Sequence, residues 1–90
     1  MAKKLWTVEI VTTPMLDDPN ECMDYENEFR EYQAGLSLQE VIDAMAGFCA
    51  EYPYAEWFGK HFGGDGLFYE EDTGHGKIWH EINIYETKVP

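Results

Sequence analysis

DDPNECMDYENEFREYQAGL, residues 17–36, is the stretch on which the fold turns, because helix and strand assignments of it build different sheets. Asp18, Pro19 and Glu21 occupy the N-cap, first and third positions of a helix start. Proline there gives up an N–H that has no helical partner anyway, and the glutamate can accept the cap's own N–H. Cys22, Tyr25, Phe29 and Tyr32 follow at steps of three and four, and Gly35 with Leu36 has the form of a left-handed C-cap and its apolar companion. These signals predict a helix over residues 19–34. The alternative makes residues 26–34 the second strand of a hairpin, which would send Phe29 and Tyr32 to opposite faces. The helix keeps both aromatics on one stripe, and it is the assignment we adopt from sequence.

The same stretch carries the main electrostatic feature. Between Leu5 and Gly59 there are twelve Asp or Glu residues and one basic residue, Arg30, and seven of those acids fall within residues 17–31. On a helix, Asp17, Glu21, Asp24, Glu28 and Glu31 step by four, three, four and three, forming a carboxylate row beside the aromatic one. Neighbours in that row rise by roughly 5 to 6 Å, a charge spacing of the order found along a nucleic acid backbone. Each like-charge pair costs about 0.2 to 0.5 kcal/mol. The helix N-terminus compensates Asp17, Asp18 and Glu21, whereas Glu28 and Glu31 lie toward its negative end. As a strand, the segment would still project Asp24, Glu26 and Glu28 from one side at about 7 Å intervals. The expected partner-binding set is Asp17, Asp18, Glu21, Asp24, Glu26, Glu28 and Glu31, with Tyr25 and Tyr32 at its edge.

Outward from this stretch the assignments are simpler. Residues 5–13 alternate, with Trp6, Val8 and Ile10 opposite Thr7 and Glu9, as a half-buried strand does, and Pro14 ends it. Ser37 and Glu40 form a capping box that opens a helix carrying Leu38, Val41, Ile42, Met45, Phe48, Cys49 and Tyr52 on one broad apolar face. Cys49 is therefore expected to pack. Pro53 stops the helix, and Tyr54, Trp57, Phe58 and Phe62 read as a short aromatic helix before Gly63 and Gly64. Residues 67–71 and 77–86 form a hairpin around a Gly-containing turn, with Ile78, Ile82 and Ile84 on one face. Trp79 and Tyr85 lie on the other, where the 54–62 segment is expected to cover them. The expected fold is α+β in a single domain, residues 1–90. A small antiparallel sheet of three to four strands packs its Trp6, Val8, Ile10 and Ile82 face on one main amphipathic helix and one or two shorter helices.

Composition narrows the function classes. With 44% hydrophobic and 16% aromatic residues the chain is too apolar for an unfolded acidic polymer. A formal net charge of −12 repels nucleic acid and anionic membranes, so neither is an expected direct partner. Glu9 interrupts the early apolar run, no signal-peptide cleavage pattern follows, and no segment approaches the ~20 apolar residues of a membrane span. Cys22 and Cys49 match no metal spacing and no disulfide framework, which points to a reducing, cytoplasmic setting. Asp18, Asn20 and Cys22 begin like an EF-hand loop, but Met23 stands where glycine is needed and Phe29 where the bidentate glutamate is needed. His75 and His80 flank a turn with Asp72, yet His80 alternates with Ile78 and Ile82 as a core histidine would. Gly63, Gly64 and Gly66 lack the lysine and helix of a phosphate loop. No metal, no cofactor and no enzymatic activity are expected.

Two resemblances bear on function. Ala34, Gly35, Leu36, Ser37, Leu38, Gln39, Glu40 and Val41 resemble the turn and second-helix start of helix-turn-helix regulators, which would imply DNA reading. No Lys or Arg stands between Arg30 and Lys60, where such a reader needs them. In size, charge and aromatic content the whole chain resembles the small acidic inhibitors encoded by phages and mobile elements, including anti-CRISPR and anti-restriction proteins that imitate nucleic acid. That resemblance rests on no motif and transfers no residue. It implies an acidic protein-binding inhibitor that blocks a basic nucleic-acid-binding host protein or defence complex, acting in the host cytoplasm. The alternative is a small accessory or subunit-interaction domain whose acidity serves solubility or a high-salt cytoplasm.

Overall fold

The computed structural model describes residues 4–16, 23–61 and 64–87. Strand β1 (Trp6–Met15) leads through a 3₁₀ turn at Tyr25–Asn27 into β2 (Phe29–Leu36), then helix α1 (Leu38–Glu51), followed by β3 (Glu56–His61), β4 (Gly64–Asp72) and β5 (Lys77–Glu86). The strands form one antiparallel sheet in the order β2-β1-β5-β4-β3. Helix α1 thus connects the two outermost strands and crosses the sheet from one edge to the other. Among the described residues the fold is α+β, with one helix on one face of a five-stranded sheet.

Alternation in β1 and β5 sets the core. Val8 and Ile82, 2% and 0% exposed, meet Val41 and Phe48 of α1, with Trp6, Leu36, Ala44, Met45, Tyr52, Leu67 and Ile84 packed around them. Each large side chain so buried contributes about 1.5 to 3 kcal/mol. The helix begins where its sequence says it should. Ser37 Oγ accepts the Glu40 N–H at 3.2 Å and Glu40 Oε1 accepts the Ser37 N–H at 3.1 Å, closing the capping box. A single helix on a twisted sheet buries a narrow stripe, so Leu38, Ile42 and Cys49 are exposed at the side of the expected apolar face. Cys49 does not pack in the core.

The segment 24–34 is not helical. β2 pairs antiparallel with β1, Ile10 opposite Glu31 and Thr12 opposite Phe29, and only the single 3₁₀ turn precedes it. Phe29 and Tyr32 do face opposite sides. The edge position makes this tolerable, because both faces of β2 meet solvent there and the two rings are 61% and 56% exposed. Gly35 serves the strand rather than a helix end. Trp6 pairs with Leu36 and Val8 with Gln33, so Ala34 and Gly35 stand opposite Thr7 alone, and Gly35 takes φ +72° to make that bulge. The expected capping residues Asp18, Pro19 and Glu21 lie outside the described residues.

Two further expectations change. Residues 56–61 form β3, paired with β4 as the fifth strand, where a short aromatic helix was expected; Phe62 lies outside the described residues. Trp79 is covered by Phe68 of β4, stacked on it at 4.6 Å and 10°. Its place on β5 follows the expected hairpin, whose turn is closed by Thr73 N–H to Gly76 O at 2.9 Å.

Candidate functional site

The two faces of the sheet offer different surfaces. On the helix side, α1 covers β5 and the near half of β1 but leaves a groove along β2. This concavity of about 500 Å³ is floored by Ile10, Phe29, Ala44 and Phe48, with Glu31 rising from β2 and Glu51 from α1. Ile10 and Phe29 are 38% and 61% exposed, so the floor is open to a partner. Gly47 leaves the helix wall low, with no heavy atom within 4 Å of where a Cβ would stand. Glu40 and Asp43 precede Gly47 and Glu51 at spacings of three to four residues, which puts the four on one strip of α1 bordering the groove. No described Lys, Arg or His forms an ion pair with Glu31, Glu40, Asp43 or Glu51.

At the C-terminal end of α1 the groove closes on a polar clamp. His80, 9% exposed, has Nε2 2.9 Å from Glu71 Oε1 and Nδ1 3.1 Å from the Tyr52 hydroxyl. Glu71 accepts from Nε2, and the Tyr52 hydroxyl, which also donates to Glu51 Oε1 at 3.3 Å, lies against Nδ1. Tyr52 also stacks between His80 and Tyr69, at 4.4 and 5.5 Å. Burial, helped by the negative Glu51 and Glu71, pushes the Tyr52 hydroxyl above its ordinary value. Tyr52 therefore stays a neutral donor, and the clamp fastens α1 to β5.

The opposite face carries no covering element among the described residues. Its inner strands nonetheless bury Thr7, Glu9, Val11 and Thr13, each below 10% exposed, beneath a hydrogen-bonded polar layer. Arg30 donates to Glu9 at 3.0 Å and to both oxygens of Glu28 at 2.9 and 3.1 Å, while Thr13 donates to Glu28 at 3.2 Å. Asn83 bridges Glu9 and Glu81, and Trp79 Nε1 donates to Glu81 at 3.0 Å. The Arg30 hydrogen bonds hold the Glu28 carboxyl below its ordinary value, and the Glu28 contact in turn raises Arg30.

The predicted partner-binding set is thus divided. Tyr32 of β2 and Glu28 just before it lie on the open face, and Glu28 is paired with Arg30. Glu31 alone reaches the groove. Asp24, whose N–H donates to Pro14 O at 2.8 Å and whose carboxylate accepts Asn27 Nδ2 at 2.7 Å, starts the 3₁₀ turn that exposes Tyr25 and Glu26. Asp17, Asp18 and Glu21 lie outside the described residues. Glu51, Gly47, Ala44 and Ile10 were not in the set. The spacing of Glu40, Asp43, Gly47 and Glu51 beside the apolar face of α1 was the signal that would have found the helix wall. Asp72 is engaged by the Gly74 N–H at 2.9 Å, and no three His, Cys, Asp or Glu side chains gather as a metal site among the described residues. None of their helices is long and apolar enough to cross a membrane.

Compared with protein-family models, curated proteins and solved structures, the chain matches none.

Proposed function

We propose that this chain is an acidic protein-binding inhibitor that occupies the cationic surface of a nucleic-acid-handling partner, binding rather than catalysing. The observation that carries the reading is the groove between α1 and β2, an apolar floor bordered on both sides by carboxylates that no described basic residue neutralises. A partner segment with one bulky apolar side chain flanked by Lys or Arg would fill the floor and neutralise both rims. Such segments line nucleic-acid-binding clefts, where cationic side chains meet phosphate. Electrostatic steering by the −12 net charge would make association fast and salt-sensitive. Occupation of the cleft would exclude nucleic acid, as in the mimics of anti-CRISPR and anti-restriction type.

The test is competitive. A partner recovered from host lysate should be a nucleic-acid-binding protein, release its nucleic acid when this chain is added, and lose affinity for the chain steeply as salt rises. Capture that is insensitive to salt and leaves nucleic acid bound would refute the reading. That outcome would favour the accessory-domain alternative, for which the exposed Leu38, Ile42, Tyr54 and Trp57 offer an uncharged contact surface.

A further inference from the structure

We infer that the open face of the sheet holds a second site, independent of the groove, which binds a quaternary ammonium group. A pocket of about 390 Å³ lies over Val11 and Thr13, walled by Tyr25, Met23 and Arg30 on one side and Trp79 on the other, with Glu28 and Glu81 at its polar margin. That volume lies in the range of small-molecule sites. The walls suit a cation in three respects.

First, the charge is unbalanced. The polar layer around the pocket sets three carboxylates, Glu9, Glu28 and Glu81, against one guanidinium, Arg30, and although Arg30 is itself part of the lining, all three of its nitrogens are committed to Glu9 and Glu28. Second, the aromatic wall is held in place. Phe68 covers the β4 side of the Trp79 ring and Glu81 fixes its Nε1, so the ring meets the pocket from the β1 side in one orientation. An aromatic face so placed attracts a cation through its quadrupole. Third, Glu28 already accepts three hydrogen bonds and Glu81 two, from Trp79 and Asn83. A carboxylate offers about four acceptor positions. Most of the remaining wall is apolar or aromatic, Val11, Met23, Tyr25 and Trp79. Methyl groups can contact such a surface, whereas the N–H groups of a primary ammonium would lose water against it, which favours a methylated ammonium over a primary one.

The test follows the Trp79 indole N–H by NMR, assigned with Trp79→Phe, while choline is titrated into the full chain. The neutral isostere 3,3-dimethylbutanol, a trimethyllysine peptide and its unmethylated counterpart provide the comparison arms. Choline should shift the Trp79 resonance saturably, and the isostere should not. The peptide arms distinguish a free small cation from a modified side chain as the source. Tyr25 is exposed and outside the core, so Tyr25→Ala should leave the fold intact and weaken choline about tenfold, the loss of one cation–aromatic contact. An absent or non-saturating shift, equal binding of the isostere, or full affinity in Tyr25→Ala would each overturn the site.

Discussion

Arg30 is held by two carboxylates at once, at 2.9 to 3.1 Å, and its removal would leave Glu9 and Glu28 short of donors in a half-buried layer. Arg30→Ala should cost about 1 to 3 kcal/mol in urea unfolding at neutral pH, the range for a partly buried polar group left unsatisfied. The pH dependence follows with a definite sign. The Glu28 carboxyl is held below its ordinary 4.5, so its contribution is full above that value and is lost as pH falls through the lower folded one. Arg30→Ala should therefore flatten the acid limb of the stability profile. Tyr52 and Tyr85 act at the other end. Both hydroxyls are raised chiefly by burial, so their contribution is present below about pH 10 and is lost as pH rises through the folded values. Tyr52→Phe should weaken that alkaline limb. Gly47 is a third informative residue, because a methyl group there meets nothing. Gly47→Ala should stabilise α1 by about 0.5 to 1 kcal/mol through lower backbone entropy in the unfolded chain.

Among the elements, α1 and β2 differ in how their sequences speak. The start of α1 was legible because Ser37 and Glu40 form a local reciprocal hydrogen bond that needs nothing from the rest of the chain, and the β4–β5 hairpin was legible from its turn and alternation. β2 was not, since its local signals favour a helix and its state is decided by pairing with β1, which lies distant in sequence. Edge exposure removes the usual period-two pattern, and Gly35 imitates a helix cap while making a bulge. The groove inherited that error: its helix wall could be read from α1 alone, but Glu31 reaches it only because β2 is a strand. Gly35→Ala isolates the bulge, since a Cβ there meets no atom and only the positive φ is strained. It should cost about 1 to 2 kcal/mol and disturb amide resonances from Ala34 to Leu36 while leaving α1 unchanged.

As a whole the molecule is a slab 52 × 28 × 19 Å, its depth matching one helix layer on one sheet layer. One small core must hold it together, so Phe48→Ala, costing about 3 to 5 kcal/mol, should consume much of the 5 to 15 kcal/mol typical of a domain. The acidity is likewise a property of the whole. It is spread over both faces, and geometry sorts it into acids that are paired, such as Glu9, Glu28 and Glu70, and acids that are not, such as Glu31 and Glu51. General negative charge and a specific groove make different demands on a partner. The direct measurement is the partner's affinity, at fixed salt, for two charge-matched double variants: Glu31→Gln with Glu51→Gln in the groove, and Glu56→Gln with Glu86→Gln outside it. The groove pair should lose at least about tenfold more affinity than the outer pair, corresponding to 1.4 kcal/mol or more from two desolvated ion pairs. Equal losses in the two variants would contradict the groove as the docking site.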